Sequence, residues 1–208
     1  MRAGFVFVFI LMVLALTTPI VVAVSFWMDA DDMVARAEQS GALRPAAGLQ
    51  PLSTPERVIA ADQFMGTWAG HAFPCRTLSL LWTDLTDPES HPPSMPASQR
   101  AATAILGERR IASARWQLRR LLVACQLERR FNDAQLLRIW LAKASFGQNI
   151  TGLDNAAQTI LGKPSDQLTV IESAKLAALL RAPSLRTQTD RWLSEAQTIS
   201  QRVTARAH

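Results

Sequence analysis

The sequence predicts an all-α, mostly helical domain carried behind a single N-terminal membrane helix. Three observations predict it. The chain opens with a run from Ala3 to Met28 that holds no charged residue. Its second half places apolar side chains at helical spacing, with few segments that alternate with period two. Helix-starting pairs, Asn132 with Gln135 and Thr169 with Glu172, precede two of those apolar stretches.

The first element is the anchor, residues 1–28. Crossing the hydrocarbon core takes ~20 apolar residues in a helix. Arg2 precedes the run and Asp29, Asp31 and Asp32 follow it. The positive-inside rule therefore places the N-terminus in the cytoplasm and the rest of the chain outside. Trp27 suits the outer interface, and Pro19 kinks such a helix without forbidding it. A cleaved signal peptide is the alternative, with Val21-Val22-Ala23 as its cleavage site. The apolar core exceeds the ~7–15 residues usual for such a peptide, which favours an uncleaved anchor.

Residues 29–55 then read as a juxtamembrane linker. Gly41, Pro45, Gly48, Pro51 and Pro55 punctuate it, with room for a short helix near Met33–Gln39. The domain proper is expected over 56–208. Inside it, a second loop from Asp84 to Pro96 carries DPESHPPSMP with four prolines. Beyond that loop, Ile111, Ala114, Leu118, Leu121, Leu122 and Cys125 form one helical stripe, with Arg115 and Arg119 a turn apart on another face. The next helix starts after Asn132, turns Leu136, Leu137, Trp140, Leu141 and Ala144 to the core, and ends at Gly147. A shorter helix is expected near Leu153–Leu161, stopped by Gly162 and Pro164. Thr169 and Glu172 open another, which runs through Leu176 and Leu179 and stops before Pro183. Trp192, Leu193, Ala196, Ile199 and Val203 mark a last helix near Asp190–Ala205.

Charge is unevenly placed on this chain of net charge +5. From Arg100 to Lys143 there are ten basic and three acidic side chains, a local +7 against −2 for the remainder. Beside a membrane, such a segment points to anionic headgroups or a phosphorylated lipid; a solvated basic helix face is the plainer alternative. Placement outside the membrane argues against nucleic acid. Two cysteines, Cys75 and Cys125, make no disulfide framework and read as small core residues, although an oxidising compartment would let them pair. His71, His91 and His208 show no metal-ligand spacing, and no nucleophile elbow or phosphate-cradling glycine loop occurs. Tryptophans can line a sugar groove, a reading left open for Trp68 and Trp82, whereas packing is expected for Trp116, Trp140 and Trp192.

The order of residues in the helical half carries more. Leu127-Glu128-Arg129-Arg130-Phe131, then Leu136-Leu137-Arg138-Ile139-Trp140-Leu141, then Phe146-Gly147 resemble the wording of glycosyltransferase family 51, the peptidoglycan transglycosylases. The resemblance continues through Gly152-Leu153-Asp154-Asn155-Ala156-Ala157, Leu161-Gly162-Lys163, Leu168 to Ala174, and Leu179-Leu180-Arg181-Ala182-Pro183-Ser184. It implies a lysozyme-like fold of two lobes with a groove at the membrane surface. It also implies an activity that joins lipid-linked disaccharide-pentapeptide into glycan strands in the periplasm, from a single-pass anchor in a bacterial inner membrane. Because the leaving group is a lipid pyrophosphate, cationic side chains and a divalent metal, Mg or Mn, are natural helpers if the chain is active.

The chemistry-bearing positions depart from the family. Its general base lies in a motif near E-D-x-x-F with a glycine following, which falls on Ala60–Gly70. Asp62 and Gly70 match, but Ala61 stands where the glutamate should be, and a methyl group takes no proton. Asp62 serves as the base only if slid by one residue; otherwise it reads as a helix cap or a solvated carboxylate. The G-x-S-T-I-T-Q-Q-x-x-K-N motif falls on Pro92–Thr103 and keeps only Ser94 and Gln99, with Ala102 for the lysine. In R-K-x-x-E the second glutamate becomes Arg120, and the asparagine of Y-L-N becomes Ala142. Arg115, Arg119 and Arg120 remain suited to hold a pyrophosphate. The expectation is a divergent member that binds lipid-linked precursor, a glycan strand or a cell wall synthase with little or no turnover. The alternatives are an active transglycosylase using Asp62, and a membrane-tethered interaction domain unrelated to the wall.

Overall fold

A computed structural model describes residues 2–44, 51–63, 75–79, 86, 96–107 and 113–206; of the side chains before Val21, only Thr17 and Thr18 are described. The described chain is mostly helical, as expected. Its only β feature among the described residues is an isolated antiparallel bridge between Ser145 and Thr151. Among the described residues the α-helices run in this order: α1 Arg2–Gln39, α2 Thr54–Gln63, α3 Ala97–Leu106, α4 Ala114–Arg130, α5 Asp133–Leu141, α6 Leu153–Ala156, α7 Val170–Arg181 and α8 Thr189–Arg206. A π turn, Ala157–Leu161, continues α6, and short 3-10 turns at Ser165–Gln167 and Pro183–Thr187 flank α7. The packed pairs are α7 on α8, α2 on α7, α3 on α4, α3 on α5 and α1 on α4.

Local chemistry explains where the helices begin. Ser113 accepts a hydrogen bond from Trp116 N (3.2 Å) at the start of α4. Asn132 and Gln135 form a full capping box, each accepting at 2.9 Å from the other's backbone N–H. Thr169 and Glu172 form the second, as the sequence predicts. Pro183 lacks an N–H and holds Ala182 extended (φ −144°, ψ 89°), so α7 stops there. One end was placed too late: α5 stops at Leu141, six residues before Gly147. The chain instead folds back through a turn in which Phe146 N donates to Ile150 O and Ile150 N to Gly147 O, both at 2.9 Å. Gly147 enters that turn at φ +86°, and a Cβ there would lie 2.8 Å from Pro183 Cβ.

The core collects Phe146, Leu127, Leu136, Ile139, Leu176, Leu179 and Ile199, all essentially inaccessible to solvent. Burying side chains of this size contributes about 1.5–3 kcal/mol each before entropy is counted. The stripe expected on α4 is buried only from Leu122 onward, and Leu118 is exposed. From Leu122 to Leu127 every residue is buried, because α1 covers one side of this stretch and α3 the other.

The short helix expected near Met33–Gln39 is the end of a longer one: residues 29–39 continue α1, and Ala30, Val34 and Ala37 bury against the domain. One expectation needs correction. Cys75 and Cys125 are not separate core thiols; they are joined by a disulfide. Two cysteines 50 positions apart carry no pairing signal in the sequence, and a small apolar residue and a half-cystine occupy the same kind of site. The expected anchor falls mostly on side chains outside the described residues. Among the described residues, no helix is long and apolar enough to cross a membrane.

Candidate functional site

A groove of about 770 Å³ opens between α3, the first half of α4, the end of α5 and the α7 terminus. Its walls carry three cations, Arg100, Arg120 and Lys143, and two indoles, Trp116 and Trp140. Each arginine is held by an aromatic face. Arg100 stacks over Trp140 at 4.7 Å and Arg120 over Trp116 at 5.6 Å. Burial pulls both guanidinium groups below their ordinary value. Arginine starts so far above neutrality that both stay charged. Two partly desolvated cations in one concavity favour an anion, which restores the stabilisation lost with water. Trp116 Nε1 is buried in the same wall with no hydrogen-bond partner among the described residues.

None of the described residues lining this groove is a carboxylate or an imidazole. Among the described residues of the groove there is thus no donor set for the divalent metal that the family resemblance implies. No group of three or more His, Cys, Asp or Glu suited to a metal occurs among the described residues.

The predicted site residues separate. Asp62 sits on α2 with its side chain fully enclosed, away from the groove lining. Arg181 Nη2 approaches its Oδ1 at 2.9 Å, Arg202 Nη1 donates to the same oxygen at 3.2 Å, and Gln63 Nε2 donates to Oδ2 at 2.9 Å. It is neither a solvated carboxylate nor a helix cap. Both oxygens are committed, an arrangement that ties α2 to α7 and α8 and leaves poor access for a substrate hydroxyl. Of the three arginines, only Arg120 lines the groove. Arg119 pairs with Asp29 on α1 at 2.9 Å, and Arg115 stacks over Phe26 at 5.9 Å. Adjacent helical residues diverge by about 100°, so 119 and 120 face different neighbours. The basic α4 segment is further drawn onto α1 by Arg130, which pairs with Asp31 (2.5 Å) and Glu38 (3.2 Å).

Sequence reasoning missed Arg100 and Lys143, and assigned Trp116 and Trp140 to packing alone. The signal was present: Arg100 follows the surviving Gln99, and Lys143 follows Ala142 at the altered Y-L-N position. Trp192 does pack, donating its indole N–H to Lys175 O at 2.8 Å. Ser94, Trp68, Trp82, His71, His91 and His208 lie outside the described residues.

Comparison with known proteins adds an independent line. A family model described as Transglycosylase matches residues 93–208. Penicillin-binding protein 1C of Escherichia coli is 36% identical over 90 residues, 43% of this chain and 12% of that protein. Penicillin-binding protein 1A of Pseudomonas aeruginosa is 34% identical over 68 residues, 33% of this chain and 8% of that protein. Penicillin-binding protein 1A of Rickettsia typhi is likewise 34% identical over 68 residues, 33% of this chain and 9% of that protein. The chain thus spans a small part of the length of these relatives, and residues 1–92 lie outside the family match.

Proposed function

Since the chain belongs to the transglycosylase family, glycosyltransferase family 51, we propose that it binds lipid-linked peptidoglycan precursor without polymerising it. The observation that carries this reading is the groove, whose described walls hold Arg100, Arg120 and Lys143 and no carboxylate. Cations at the pyrophosphate end favour capture of the anionic headgroup. Polymerisation also demands a group that takes the proton of the attacking hydroxyl. Ala61 and Arg120 stand where the family resemblance places glutamates, and Asp62 is consumed by Arg181 and Arg202.

Placement at a membrane is part of the proposal. The apolar run Ala3–Met28 lies within α1, and α1 continues into the domain without a break. A single-pass anchor in a bacterial inner membrane would hold the groove beside its lipid-linked ligand. A disulfide between Cys75 and Cys125 suits an oxidising compartment such as the periplasm. A cell wall synthase is the natural protein partner for such a binder.

Two assays on the full-length chain in detergent test this. With lipid-linked disaccharide-pentapeptide, we expect binding but no glycan polymer, with divalent metal present or absent. Replacing Arg120 by glutamate should weaken binding at least tenfold, as expected for loss of one charge-assisted hydrogen bond plus a new repulsion. Polymer formation by the unaltered chain would overturn the proposal.

A further inference from the structure

A second cavity, of about 460 Å³, lies on the other side of α4, where α1 leaves its apolar run. Trp27, Met28, Asp32, Gln126 and Arg129 contribute to its walls. Most charges around it are already spoken for. Asp29 pairs with Arg119, and Asp31 and Glu38 pair with Arg130. The buried Gln126 amide, oriented to satisfy both neighbours, donates to Asp31 Oδ1 (3.2 Å) and accepts from Trp27 Nε1 (3.0 Å). Two opposite charges are left over. Among the described residues, neither Asp32 nor Arg129 has an ion-pair partner. Arg129 instead lies over the Trp27 ring at 5.6 Å.

The surface leading to this cavity is apolar. Val21, Val24 and Met28 are 65%, 51% and 61% exposed. Their spacing puts them on one face of α1, and Asp32 continues that face one turn later. An apolar strip therefore ends in a concavity that offers one anion and one cation. That order matches an amphiphile whose acyl chain is followed by a phosphate and an ammonium.

We infer that the cavity between α1 and α4 is a binding site for the phosphoethanolamine headgroup of a bilayer phospholipid. The phosphate meets the Arg129 guanidinium, the ammonium meets the Asp32 carboxylate, and the acyl chain follows Met28, Val24 and Val21. Guanidinium suits phosphate oxygens, and Trp27 belongs at the depth where headgroups lie. The site is separate from the groove, which faces the opposite side of α4 through Arg120. It rests on the reading that Ala3–Met28 spans a bilayer.

The test uses the full-length chain in detergent with short-chain phosphatidylethanolamine or phosphatidylglycerol, read by native mass spectrometry and by titration. Unaltered protein should retain phosphatidylethanolamine at least tenfold more tightly than phosphatidylglycerol. Asp32→Asn should erase that preference while keeping phosphatidylglycerol binding, and Arg129→Gln should weaken both lipids. Arg191→Gln, on α8 and outside the lining of both cavities, should change neither, and a misfolded variant cannot reproduce this split pattern. Equal affinity for the two lipids, or unchanged affinities in both cavity variants, would overturn the site. Alkaline extraction of membranes reports on the anchor separately. A chain released by carbonate that still selects phosphatidylethanolamine in detergent would lose the anchor reading and keep the headgroup site.

Discussion

The Asp62 carboxylate lies 2.9 Å from the guanidinium of Arg181, a residue 119 positions further along the chain. Its side chain is fully enclosed, whereas Arg181 remains 37% exposed. A second guanidinium, from Arg202, shares the same oxygen. Asp62, expected from the resemblance near the base motif, therefore ties α2 to α7 and α8.

Replacing Asp62 by alanine should accordingly act on stability. Removing one member of a buried ion pair leaves charge without compensation, and here the two arginines recover part of that cost by turning to water. We expect a loss of about 2–4 kcal/mol in urea unfolding. A stability change below about 1 kcal/mol, together with loss of any measurable turnover, would return Asp62 to the role of base.

Opening the disulfide should loosen the fold in a different way. Cys75 and Cys125 close a loop with a sequence separation of 50. The chain-entropy argument gives about 4 kcal/mol for a loop of that length. Reduction, or the paired Cys75→Ser and Cys125→Ser replacement, should lower the unfolding midpoint accordingly. The neighbouring contacts should limit the local damage, since Glu128 accepts from Thr77 Oγ1 (2.7 Å), Thr77 N (3.2 Å) and Ser98 Oγ (2.6 Å). Identical midpoints with and without reductant would show that the bond does not constrain the unfolded chain.

Acid should remove one small contribution at α7. The Lys163 ammonium, followed by the Thr169 backbone and hydroxyl donors, holds the Glu172 carboxyl down at about 2, against an ordinary value of 4.5. A carboxyl depressed by folding stabilises the protein above its unfolded value. That contribution fades as pH falls from about 4.5 through about 2. The Lys163–Glu172 pair is at the surface, so the effect should stay below about 1 kcal/mol. Glu172→Gln should be less stable than the unaltered chain at pH 6, and the difference should shrink steadily as pH falls toward 2. A difference that persists unchanged at pH 2 would assign the loss to capping geometry alone.

Much of the fold was legible because its causes are local. The capping boxes at Asn132 and Thr169 involve residues three apart, and the stop at Pro183 needs one missing N–H. The family resemblance from Glu128 to Ser184 also lies in the helical half, within the matched stretch. The site was less legible. Arg115, Arg119 and Arg120 looked like one phosphate cluster, because spacing along α4 says nothing about which neighbouring helix covers each face.

By itself, then, the sequence determined the helical class, the two capping boxes and the family. Only the tertiary structure decided that Asp62 is spent on Arg181 and Arg202, that Cys75 meets Cys125, and that Arg100, Arg120 and Lys143 share one groove. The physical reason is range. Caps and periodicity are set by atoms a few residues apart, whereas a charge's environment depends on helices brought alongside it from 50 to 140 positions away.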